Sequence, residues 1–106
     1  MYNVDMVTST NDVLEAINAK KSDIGKLGIV KVGLFGSFSR GDQTQEIDID
    51  LLIEFDKDKK NFKNYMNFVK LAENLFGREV DVVTLESLSP YIAPYIKKEV
   101  KYVKTA

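Results

Sequence analysis

Cysteine and histidine are both absent from this 106-residue chain. Without cysteine there are no disulfides, no thiolate zinc sites and no cysteine nucleophile. Without histidine, any general base must be a carboxylate, a lysine or a tyrosine. Neither sign of charge is in excess: 15 Lys and Arg stand against 16 Asp and Glu, a net charge of −1. No overall positive field gathers DNA or RNA, so nucleic acid is not the expected substrate. Nowhere do about 18 apolar residues run consecutively, and the N-terminal residues lack the basic start and apolar run of an export signal. The expectation is a soluble, cytoplasmic protein with no membrane segment. Linker-like Gly/Ser or Pro-rich runs, internal repeats and low-complexity segments are missing too. With 44% hydrophobic content, the length suits one compact domain over residues 1–106.

What is present centres on Gly36-Ser37-Phe38-Ser39-Arg40-Gly41 and, beyond it, Asp48-Ile49-Asp50. Both flanks read as β-strands. Before the loop, Val30, Val32 and Leu34 alternate with Ile29, Lys31, Gly33 and Phe35; after it, Ile47, Ile49, Leu51, Ile53 and Phe55 alternate with Asp48, Asp50, Leu52 and Glu54. The second pattern puts both aspartates on one face, roughly 6.5 Å apart along the strand, close enough for their oxygens to converge on a hard cation. A paired acid face beside a glycine turn suggests a metal and a phosphate. Singly, each acid reads as a solvated residue on an open sheet face.

Along the rest of the chain, Ser9-Thr10-Asn11-Asp12 offers capping residues to a helix over about residues 10–26, with Gly25 or Gly28 near its end. Asp56 to Asn61 is a charged loop that fails the calcium-loop pattern. Phe62, Tyr65, Met66, Val69, Ala72, Leu75 and Phe76 recur at helical spacing, with Gly77 as a C-terminal cap. A short strand, Glu79 to Thr84, carries Asp81 among valines, where a carboxylate must reach solvent or join a charged site. Ser87-Leu88-Ser89-Pro90 and Pro94 predict a final helical piece that is either split or begins only at Pro94, and Val100, Tyr102 and Val103 a closing edge strand beside a lysine-rich tail. The fold class expected is α+β: a small mixed or antiparallel sheet with helices packed on one face.

Gly36-Ser37, ten residues, Asp48-Ile49-Asp50, and then Asp81 about thirty residues on resemble the pattern of the beta-type nucleotidyltransferase fold. The likeness is to its minimal (MNT) domains and runs over nearly the whole chain. The chain departs from that pattern in carrying Ile47 where members commonly have a serine. The resemblance implies two divalent ions, Mg²⁺ with Mn²⁺ as an alternative. Asp48 and Asp50 would bridge both, and Asp81 would complete the site and help take the nucleophile's proton. It implies ATP as substrate, with Gly36 admitting the phosphates and Ser37 donating to their outer oxygens. Arg40 is either a phosphate contact or a surface partner of Asp42 or Glu46.

Minimal domains of this kind are typically encoded beside a helical HEPN protein. The resemblance therefore implies an antitoxin that transfers AMP from ATP to a tyrosine of a HEPN toxin, in a homo- or hetero-oligomer. The alternatives are a non-catalytic partner-binding antitoxin, nucleotidyl transfer to a small molecule whose pocket lies on a partner subunit, and self-modification at Tyr65, Tyr91, Tyr95 or Tyr102.

Overall fold

The computed structural model describes residues 10–36 and 49–105. In chain order these form α1 (Thr10–Ala19), α2 (Lys21–Lys26), β1 (Ile29–Phe35), β2 (Ile49–Phe55), α3 (Phe62–Phe76), β3 (Val80–Thr84), a 3₁₀ turn (Leu85–Ser87), α4 (Ala93–Glu99) and β4 (Lys101–Lys104). The strands make one mixed sheet in the order β3-β2-β1-β4. β1 pairs antiparallel with both β2 and β4, whereas β2 and β3 run parallel. A parallel pair needs a crossover, and α3 supplies it. The α+β expectation is met.

Alternation along the strands builds the core. Val32 and Leu34 of β1, Ile49, Leu51 and Ile53 of β2, and Val82 of β3 turn the same way and are buried with Val13, Ala16, Ile17, Ile24, Phe68, Ala72 and Phe76 from the first three helices. Ile29 joins them although it stands three residues from Val32, because β1 carries an irregularity between Ile29 and Lys31 that shifts the register by one residue. The same end of β1 is held by Thr105, whose hydroxyl donates to the Ile29 carbonyl at 2.6 Å and whose amide donates to the Val30 carbonyl at 3.0 Å.

Two sequence expectations need correction in detail. The first helix is divided at Lys20 instead of running on to residue 26. Residues 18–23 are all exposed, so no packing holds them in one continuous rod. The stripe of α3 is centred on Phe68, Ala72 and Phe76, all buried, while Phe62 at the helix start is 77% exposed. Helical spacing admits either line, and contact with the sheet decides between them. The C-terminal end of α3 is as expected, and its start adds a cap from the last residue of the charged loop. Asn61 caps the start by accepting from the Asn64 amide at 2.8 Å, and Gly77, at φ 66°, closes the end with its amide on the Glu73 carbonyl at 2.9 Å. Pro94 sits in the first turn of α4, and β4 closes the sheet edge.

Candidate active site

The second face of the sheet carries the polar residues. Asp50 on β2 stands directly beside Asp81 on the parallel strand β3. Residues paired across neighbouring strands lie about 5 Å apart with their side chains on the same face, so the two carboxylates are brought together across the sheet. Asp81 is exposed and Asp50 half-buried. On the opposite side of Asp50 its antiparallel partner is Phe35, and the next residue is Gly36. Gly36 has φ +74°, and a Cβ there would overlap the Asp50 carboxylate. Glycine is therefore required twice over, by a conformation that side chains disfavour and by the space the aspartate occupies. Ser37, Arg40 and Asp48 lie outside the described residues.

A further carboxylate reaches this corner from far along the chain. The Gly36 amide donates to Glu99 Oε1 at 3.1 Å, across 63 residues of sequence. Nothing in the local pattern around Glu99 marks it, because the contact depends on where α4 ends relative to the end of β1. Among the described residues, no group of three or more metal-ligating side chains is assembled.

The far end of the same face is organised differently. Lys31 Nζ lies 3.9 Å from Glu54 Oε2 and 4.9 Å from the centre of the Tyr102 ring. Burial first, then the charge of Glu54 and a hydrogen bond to it, hold the Tyr102 phenol above the usual tyrosine range. Lys31 pairs with Glu54 and Phe35 with Asp50, so this cluster is about 13 Å along the strands from the acids. Between the two ends, Val100 and Tyr102 press against Gly33, and its β2 partner Leu52 is fully buried. The C-terminal segment thus closes the middle of the face and leaves Asp50 and Asp81 at one end. An apolar groove of about 370 Å³, lined by Phe55, Lys60, Asn61, Phe62, Tyr65 and Thr84, sits at the other ends of β2 and β3 and holds neither aspartate.

The nucleotidyltransferase domain family matches residues 13–103. The chain belongs to that family. It is accordingly an enzyme of nucleotidyl transfer, and the carboxylate pair lies within the matched region. The chain is 32% identical over 100 residues, 92% of its length and 100% of the relative's, to the protein adenylyltransferase MntA of Thermococcus cleftensis. A solved structure described as a candidate minimal nucleotidyltransferase superposes with a TM-score of 0.70 at 27% identity, over 83% of this chain and 93% of the other. The fold also matches, at a TM-score of 0.52 and 20% identity over 83% of this chain and 70% of the other, a chain in the complex of tri-AMPylated Shewanella oneidensis HEPN toxin with MNT antitoxin. The minimal nucleotidyltransferase fold expected from the pattern of Gly36-Ser37, Asp48-Ile49-Asp50 and Asp81 is therefore the fold adopted. Among the described residues, no helix is long and apolar enough to cross a membrane.

Proposed function

We propose that this nucleotidyltransferase is a protein adenylyltransferase that moves AMP from ATP to a tyrosine hydroxyl of a HEPN-type partner, acting as the antitoxin of the pair. The observation that carries the reading is the in-register pairing of Asp50 with Asp81, with Gly36 turned tightly around the Asp50 carboxylate. Kinship with a protein adenylyltransferase that aligns over its whole length supports AMP as the group moved and a protein as the acceptor. The fold shared with an MNT antitoxin bound to an AMPylated HEPN toxin supports the choice of partner.

The residues fit divalent metal ions. A chain without cysteine or histidine offers only oxygen and amine donors, and two carboxylates on the same face of neighbouring strands suit a hard cation such as Mg²⁺ or Mn²⁺. Asp50 and Asp81, with Asp48 as the third acid, would hold two such ions. When bound they neutralise phosphate charge and lower the pKa of the attacking hydroxyl. In the transfer, the tyrosine oxygen bonds to the α-phosphorus of ATP and the bond from that phosphorus to the bridging oxygen breaks. Pyrophosphate leaves, and Asp81 accepts the phenolic proton. On the family pattern Gly36 and Ser37 receive the phosphates, and Arg40, further along the same stretch of sequence, is either a third phosphate contact or a surface partner of Asp42 or Glu46.

Two of the chain's own tyrosines are poorly suited as acceptors. The Tyr65 hydroxyl is engaged with the Val82 carbonyl at 2.6 Å, and Tyr102 is bound to the distant Lys31–Glu54 cluster. Tyr91 and Tyr95 are exposed.

The test is to incubate the protein with ATP labelled on the α-phosphate and Mg²⁺, with and without a HEPN-type protein, taken from a neighbouring gene where there is one, and to locate the label by mass spectrometry. The expected result is AMP on a partner tyrosine, reduced by about two decades or more in Asp81→Asn, as befits the loss of several kcal/mol of charge stabilisation. Transfer at the wild-type rate in Asp81→Asn overturns the site. A tight complex that binds ATP and labels no protein overturns the acceptor.

A further inference from the structure

We infer that Glu99 sets the affinity of this site for a nucleotide triphosphate, by holding the Gly36 amide that a phosphate oxygen takes over when the nucleotide binds. The inference rests on reading the Asp50–Asp81 end of the sheet as the nucleotide site.

Gly36 is the first residue beyond β1, where the Gly-Ser pattern begins, and a backbone N–H beside a left-handed residue is the kind of donor that phosphate oxygens take. Its N–H is directed at Glu99 Oε1, 3.1 Å away. A hydrogen bond to a carboxylate is charge-assisted and roughly twice as strong as one to a neutral acceptor, so this donor is already well satisfied. One N–H cannot serve a carboxylate and a phosphate oxygen at full strength together. The Glu99 carboxylate also brings negative charge to the corner where Gly36 abuts the Asp50 carboxylate, which raises the cost of admitting a polyanion there.

The backbone around Glu99 is fixed on both sides. The Val100 amide donates to the Ile96 carbonyl at 2.9 Å, the Val100 side chain packs on Gly33, and β4 begins at the next residue, paired with β1. Release of the amide therefore falls to the Glu99 side chain and not to α4 or the sheet.

Glu99→Gln keeps an acceptor of the same size and removes the charge. Titrated with a fluorescent ATP analogue in the presence of Mg²⁺, the full chain carrying Glu99→Gln should bind about fivefold tighter than wild type. In AMP transfer, KM for ATP should fall while kcat changes little. Glu15→Gln, which removes the same charge from exposed α1, should leave the affinity unchanged, and the melting temperature of each variant reports whether the fold is intact. Unchanged or weaker binding by a folded Glu99→Gln protein overturns the inference and leaves the nucleotide site standing. Failure of wild type and all variants to bind the analogue overturns the nucleotide site and this inference together.

Discussion

On the helix-packed face of the sheet, Ile49, Leu51 and Ile53 of β2 are fully buried against α1, α2 and α3; on the other face the same strand turns out Asp50 and Glu54, beside Asp81, Lys31 and Tyr102. Both faces come from one period-two alternation, yet they follow opposite rules. The first removes side chains from water, at about 1.5–3 kcal/mol for each fully buried large one. The second crowds like charges: two carboxylates across neighbouring strands repel by about 1 kcal/mol in watery surroundings. The comparison teaches where tolerance lies. The packed face supplies the stability that lets the other face hold an arrangement unfavourable in itself.

The largest effect should come from the packed face. Phe68 is 1% exposed in the middle of α3, and Phe68→Ala leaves a cavity under the helix that links β2 to β3. Denaturant unfolding should show a loss of about 3–5 kcal/mol. A loss below about 1 kcal/mol would mean that the helix can collapse onto the sheet, and the contrast between the faces would fail. Next comes Gly36→Ala on the acid face. The new methyl group meets the Asp50 carboxylate and must adopt φ +74°, so the cost should be about 1–3 kcal/mol in stability. AMP transfer should fall as well, because Asp50 has to move. Full transfer by Gly36→Ala would show that the close approach of turn and carboxylate does not serve the chemistry.

The acid face was largely legible in the sequence, because strand alternation alone puts a carboxylate such as Asp50 opposite to Ile49 and Leu51. Gly77 was equally plain, since a left-handed cap is a local demand, whereas Asn61, read as the end of the charged loop, caps the start of α3. Three features were not legible, each for a nonlocal reason. The strand containing Asp81 was recognisable, but its register beside Asp50 depends on how far α3 carries the chain back along the sheet. The choice of Phe68 over Phe62 as the centre of the helix stripe depends on which side meets the strands. The contact of Glu99 with Gly36 joins positions 63 apart, and no spacing rule announces it. Ser37, Arg40 and Asp48, singled out with Gly36 and Asp50, lie outside the described residues, so their part in the site rests on the family pattern.

The finest test lies where the two faces touch. Tyr65 reaches from α3 across the packed side, and its hydroxyl donates to the Val82 carbonyl at 2.6 Å, next to Asp81 on an edge strand. Tyr65→Phe keeps the ring and removes only that bond, so stability should drop by about 1 kcal/mol, seen as a melting shift of about 4–8 °C. The parallel ladder with β2 still holds β3 in register, with Asp50 beside Asp81, and AMP transfer should stay within about twofold of wild type. A large fall in transfer with little change in melting would mean that the helix positions Asp81 through this bond. The faces would then be coupled at β3, and stability and chemistry could not be varied independently there.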